Sequence, residues 1–150
     1  MIRKAETKDV SRLAEIEVFS YRTNFYPIFR CDDFYFRELQ VQDLIGEYLS
    51  DEAMLQHTCV YDDGVVKGFI RVEDEQIRKL FVEPILVGRH IGQHLLRFAT
   101  GTLGANWLWV LEKNTKAIRF YERNEFCLTE EKKLEPGTDE ILIKMKSLGD

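Results

Sequence analysis

Two glycines, Gly88 and Gly92, stand between a β-like run that ends at Val82 and an amphipathic helical pattern that begins near Ile91. The first turn of a helix carries backbone N–H groups with no intrahelical acceptor, and the macrodipole places partial positive charge there. Glycines let an anion approach that backbone closely. Strand, glycine loop and helix start together make a site suited to a phosphorylated ligand, built from Val87, Gly88, Arg89, His90, Ile91, Gly92 and Gln93, with Arg89 and His90 adding side-chain donors. The alternative is a plain connection between two elements. The loop has no Gly-Lys-Ser/Thr ending, and its Gly88-x-x-x-Gly92 spacing is not G-x-G-x-x-G, so neither a P-loop nor a dinucleotide fingerprint fits.

A second chemical candidate is Tyr121, four residues after Ala117 on a segment that Asn114 can cap. A phenol stays protonated at neutral pH and can donate that proton; it can equally pack with Ala117 and Ile118. The histidines His57, His90 and His94 form no metal set: His90 and His94 have i, i+4 spacing, but no third ligand has clear spacing to them, so no metal is expected. No Ser-His-Asp or Cys-His arrangement stands out.

These groups must be positioned by one compact domain, since 150 residues with 45% hydrophobic content suit a single core spanning residues 1–150. A formal net charge of −5 argues against general nucleic-acid binding. Cys31, Cys59 and Cys127 are odd in number and far apart, which reads as reduced and buried thiols. The first ten residues lack an apolar signal-like core and no run approaches membrane-span length, so the expectation is a cytoplasmic protein with no membrane partner.

Along the chain, Ile2 to Ala5 reads as a strand, and Thr7 or Asp9 can cap a helix carrying Val10, Leu13, Ala14 and Ile16. An aromatic segment from Phe19 to Phe36 follows, and Asp32 or Asp33 can cap a helix from about Phe34 to Leu49. The period then changes: His57 to Tyr61 and Val65 to Val72 flank the turn Asp62-Asp63-Gly64, and Gln76 to Val82 adds a third strand. After the glycine loop, a helix with Ile91, Leu95, Leu96 and Ala99 on one side ends at Gly101 or Gly104. Trp107 to Leu111 is a strand, Asn114 opens a helix, and Cys127 to Lys133 pairs with Glu140 to Lys146. This order predicts an α+β fold: a mixed, mostly antiparallel sheet of about six to seven strands flanked by about four helices in α/β/α layers, with the strands at Gln76 and Trp107 parallel.

The order resembles the GNAT superfamily of acetyl-CoA-dependent N-acetyltransferases over nearly the whole chain. Leu80 to Leu96, LFVEPILVGRHIGQHLL, is similar to the family's strand followed by its Q/R-x-x-G-x-G/A diphosphate loop. Trp109 to Phe126, WVLEKNTKAIRFYERNEF, is similar to its strand, helix-start Asn and Phe-Tyr-Glu-Arg/Lys run. Three positions depart: His90 stands at the central Gly, Val87 at the usual Gln/Arg, and Glu125 at the Gly after the tyrosine helix, where Asn124 is expected to take the left-handed cap instead. A Cβ at position 90 constrains the backbone, and its imidazole crowds or contacts the diphosphate.

The resemblance implies acetyl-CoA as co-substrate and direct transfer of its acetyl group to a primary amine, small-molecule or peptide. It implies that Tyr121 protonates the departing CoA sulfur and that a Glu near the start of the third strand, with Glu75 named ahead of Glu73, serves as base. The alternative for these acids is a solvated turn. Strand amides at Leu80, Phe81 and Val82 would bind the pantetheine arm, Asn114 would contact CoA, and Lys116, with Lys113 and Arg119, would reach its 3′-phosphate or else form a solvated side. The acceptor wall would include Tyr26, Phe29 and Phe34, with Tyr35 beside them. A homodimer is compatible with the family. The competing reading is a non-catalytic acyl-CoA-binding sensor or regulatory module of the same fold.

Overall fold

A computed structural model describes residues 1–149. Seven strands, β1 (Ile2–Lys4), β2 (Thr58–Asp62), β3 (Val66–Glu73), β4 (Gln76–Val82), β5 (Trp107–Leu111), β6 (Phe126–Leu134) and β7 (Ile141–Ser147), form one open sheet in the order β1-β2-β3-β4-β5-β7-β6. Only β4 and β5 run parallel; every other neighbour pair is antiparallel. Turn chemistry explains the hairpins. Gly64 adopts φ 114° and donates its N–H to the Asp62 carboxylate at 2.9 Å, and Asp74 takes φ 56° in the β3–β4 turn.

Alternation along β3 sends Phe69 to one face and Ile70 to the other, and each face carries its own apolar core. Helices α1 (Val10–Asn24) and α3 (Val41–Ser50) cover the Phe69 face through Leu13, Ile16, Val18 and Tyr48. Helices α5 (Ile91–Thr102) and α6 (Thr115–Arg123) cover the Ile70 face through Leu95, Leu96, Ala99 and Tyr121. Gly68 sets the distance between α5 and the sheet. A Cβ there would lie 2.9 Å from the Phe81 carbonyl oxygen, too close without a backbone shift, and 3.2 Å from Leu95 Cδ1, a tight contact.

Several expectations change. Two short helices, α2 (Tyr26–Phe29) and α4 (Glu52–Gln56), bring the described α-helices to six rather than four. The helix expected from Phe34 to Leu49 is broken: a π-helical stretch, Asp33–Glu38, precedes α3, and Leu39 and Gln40 are extended between them. The break has a tertiary cause. Arg22 on α1 donates to the carbonyls of Tyr35 (3.0 Å) and Leu39 (3.2 Å), and the Gln40 side chain closes on those of Phe36 and Arg37. Neither Asp32 nor Asp33 serves as a side-chain cap. Gly101 lies inside the last turn of α5, and Gly104, at φ 74°, ends it. Glu125 itself takes the left-handed conformation, φ 69°, because the Asn124 side chain is tied to the Phe120 carbonyl at 2.8 Å and its backbone stays at φ −110°. All three cysteines are free thiols; Cys59 is buried as expected, but Cys31 is exposed and Cys127 half-buried. Among the described residues no helix is long and apolar enough to cross a membrane.

Candidate active site

The site begins with a failure of strand pairing. β4 and β5 bond only at Gln76↔Trp107 and Ile77↔Leu108, so β4 from Arg78 to Val82 has no partner strand on that edge. Alternate N–H and C=O groups there need partners from outside the sheet. The gap widens into an open cleft of about 1260 Å³, lined by β4, β5, α6, the α1–α2 aromatics and the β6–β7 turn.

Past the end of β4, a 3₁₀ turn (Pro84–Leu86) leads to extended Val87, then Gly88 at φ 97° and His90 at φ 66°, ψ 8°. His90 is the N-cap of α5 in the conformation that glycine ordinarily supplies, and its side chain caps nothing. The first main-chain bond after the cap is His94 N–H to the His90 carbonyl at 3.0 Å, so the amides of Ile91, Gly92 and Gln93 open the helix without intrahelical acceptors. Residues Val87 to His90 are exposed, while Ile91 is buried beneath them. Gly92 faces α6, where a Cβ would meet Phe120 Cζ at 3.4 Å and Val82 Cγ2 at 3.6 Å. The loop therefore offers bare N–H groups at a helix start docked on β4 and α6, and the Cβ of His90 does not prevent the turn.

Tyr121 lines the cleft from α6 and is 9% exposed, its ring against Phe120 (5.2 Å) and Phe126 (5.8 Å). Burial pushes its phenol above the ordinary value, so it is protonated at neutral pH. Packing and cleft-facing roles thus coincide in one side chain. Asn114 also lines the cleft, while its side chain accepts from Ala117 N–H at 3.2 Å as the helix cap. Lys116 is exposed on α6, and Lys113 pairs with Glu140 at 3.1 Å.

On the aromatic side, Phe29, Phe34 and Tyr35 line the cleft. Tyr26 does not; its hydroxyl donates to Asp32 at 2.6 Å and its ring packs on Tyr35 and Phe36, so it buttresses the segment. Burial, then Cys31 and Glu135, push the Tyr35 phenol up to about 12. Glu75 sits in the exposed β3–β4 turn outside the cleft lining, and Glu73 pairs with Arg78 at 3.8 Å. Neither is brought to Tyr121. Of the strand positions, Leu80 and Phe81 line the cleft, and Val82 packs toward α5.

A polar cluster that sequence reasoning missed lies at the cleft floor. Glu17 of α1, 1% exposed, accepts from the hydroxyls of Tyr48 (2.8 Å) and Tyr21 (3.0 Å), pairs with Lys79, and lies 3.9 Å from Arg71. Its signal was present: Glu17 interrupts the apolar stripe Leu13–Glu17–Tyr21, and Arg71 and Lys79 face each other in register on β3 and β4. Among the described residues no group of three or more His, Cys, Asp or Glu gathers to hold a metal.

Residues 55–127 match the model of the acetyltransferase (GNAT) domain. The peptidyl-lysine N-acetyltransferase YjaB of Salmonella typhimurium is 27% identical over 90 residues; the match spans 60% of this chain and 61% of that protein. The apo form of YjaB from Escherichia coli superposes with a TM-score of 0.73 at 20% identity, over 100% of this chain and 98% of the other. PaiA N-acetyltransferase from Thermoplasma acidophilum, in complex with coenzyme A, gives 0.69 at 19% identity over 97% and 98%. YncA from Salmonella typhimurium, a putative acetyltransferase with acetyl-CoA, gives 0.64 at 18% over 100% and 94%.

Proposed function

We propose that the chain, whose residues 55–127 match the acetyltransferase (GNAT) domain, is an acetyltransferase of that family and acetylates a primary amine with acetyl-CoA by direct transfer. The observation that carries the reading is the pairing gap between β4 and β5, bounded at one end by the open amides of α5 and flanked by Tyr121. Amides from Val87 to Gln93 would hold the diphosphate, and the free edge of β4 at Leu80 to Val82 would take the pantetheine arm. Acetyl-CoA supplies an activated acyl carbon as a thioester. An amide near Leu80 is suited to stabilise negative charge on the carbonyl oxygen as the acceptor nitrogen bonds to that carbon and the carbon–sulfur bond breaks. Tyr121, kept neutral by burial, gives its proton to the sulfur. The acceptor must lose a proton, and solvent in the open cleft can carry it away, since Glu75 does not line the cleft.

Tyr121 favours catalysis over the sensor reading, which needs no proton donor beside the thioester. The test is thiol release from acetyl-CoA over a panel of amines, with Tyr121→Phe beside the native protein, and thermal shifts with acetyl-CoA, ATP and NADH. The expected result is a shift specific to acetyl-CoA and turnover reduced by about 100-fold or more in Tyr121→Phe. Binding without turnover of any amine supports the sensor reading. Full turnover in Tyr121→Phe removes the tyrosine from its assigned role.

A further inference from the structure

We propose that the acceptor is a small zwitterion, an amine that also carries a carboxylate, and that Lys79 at the cleft floor selects it; this rests on the acyltransferase reading above. Three charged groups meet where α1 crosses β3 and β4. One buried carboxylate, Glu17, faces two cations, Arg71 and Lys79, so the cluster carries an excess positive charge. Arg71 is sealed in, 6% exposed, donating to Thr58 Oγ1 at 3.0 Å and to the Tyr48 hydroxyl. Lys79 is different: its side chain keeps 28% exposure and lines the cleft.

An ammonium has three N–H donors. Lys79 directs two of them at Glu17 and at the Tyr21 hydroxyl, 2.6 Å away. The third is left for a cleft occupant. Glu17 offers no such contact, because it is 1% exposed and lies behind Lys79 and Tyr21, with its oxygens serving Tyr48, Tyr21 and Lys79. The other cations lining the cleft, Arg78 and Lys133, are exposed, so water screens their charge; Arg78 also pairs with Glu73 at 3.8 Å and Lys133 lies over the Trp109 ring at 4.5 Å. A partly desolvated excess cation binds an anionic oxygen more strongly than a surface lysine does, and it repels a second ammonium.

The opposite wall has the reverse sign. Glu135, Asp139 and Glu140 of the β6–β7 turn line the same cleft, and only Glu140 has an ion-pair partner, Lys113, among the described residues. An acceptor with a carboxylate toward Lys79 and an amine toward that turn satisfies both walls. A polyamine or a lysine side chain satisfies only the acidic one.

The experiment compares, in the full chain, amino acids with the amides of the same amino acids and with spermidine, by thiol release from acetyl-CoA. The amide keeps the amine and removes the anionic group. The expected result is kcat/KM higher for the acid than for its amide by about 10- to 100-fold, spermidine poor, and the acid-to-amide ratio collapsing in Lys79→Met while Lys79→Arg retains part of it. Thermal shifts with acetyl-CoA show whether each variant is folded and binds the donor. Where a variant does not fold, the native acid-to-amide ratio alone decides. Equal or preferred use of the amide or of spermidine by the native protein overturns the proposal and leaves acetyl transfer intact. Absence of acetyl-CoA binding by the native protein overturns the acyltransferase reading instead.

Discussion

The Tyr48 hydroxyl donates to the Glu17 carboxylate at 2.8 Å, at a point where Tyr48 is fully buried and Glu17 is 1% exposed. The bond joins α3 to α1 beneath the sheet, and Arg71 donates to the same hydroxyl from β3. Three elements therefore share one polar contact inside an apolar layer, where an unmet polar group is expensive.

Removing the hydroxyl leaves both Glu17 and Arg71 short of a partner. Tyr48→Phe is expected to lower the unfolding free energy by roughly 1–3 kcal/mol, read from urea denaturation. Glu17→Ala removes the counter-charge of Arg71 and Lys79 and is expected to lower it by more, about 3–5 kcal/mol. The opposite ranking would mean that the ion pair adds little and that the cluster is held by its hydroxyls.

The glycine loop separates conformation from side chain. Gly88 sits at φ 97° with open space around its Cβ position, so Gly88→Ala strains the turn without a clash, at a cost of about 1–3 kcal/mol. Its expected effect is weaker coenzyme A binding, by about tenfold or more in a fluorescence titration. His90 already holds a left-handed φ of 66°, and its side chain makes no cap. His90→Gly is therefore expected to keep or tighten coenzyme A binding. A large loss in His90→Gly would assign the imidazole itself to the ligand.

At the other end of the sheet, Arg3 forks onto Asp9 at 2.8 and 2.9 Å and also reaches Asp62. The guanidinium holds the buried Asp9 carboxyl below its ordinary value of 3.8. A lowered folded value means the contribution is complete above the ordinary carboxylate range and disappears as pH falls through the lowered value. Stability measured by denaturation is thus expected to decline from about pH 5 toward about pH 2, and Asp9→Asn should be less stable at neutral pH with a shallower acid decline. An unchanged acid slope in Asp9→Asn would place the linkage elsewhere.

What could be read from residue order was whatever depends on neighbours in the chain. β4 and β5 fall where alternation and apolar runs placed them, and Asn114 caps its helix through a bond three residues long. The break at Leu39 was not legible, because Arg22, seventeen residues away, pulls on that carbonyl. The aromatic wall of the cleft was half legible. Aromatic content marked the segment, but which rings face the cleft depends on the Tyr26–Asp32 bond that turns Tyr26 away. The Glu17 cluster needed four elements, α1, α3, β3 and β4, to be assembled before its members became neighbours. Glu75 was named from its position at a strand start, and the hairpin carries that position outside the cleft.

Gly68 lies under α5 with the Leu95 methyl and the Ile91 side chain closing over its missing Cβ. That bare position lets the helix ride low on the sheet, and the turn before Ile91 descends with it. The depth at which a bound nucleotide's phosphates would rest is thus set from the underside, by a residue in an earlier hairpin that no ligand need ever touch.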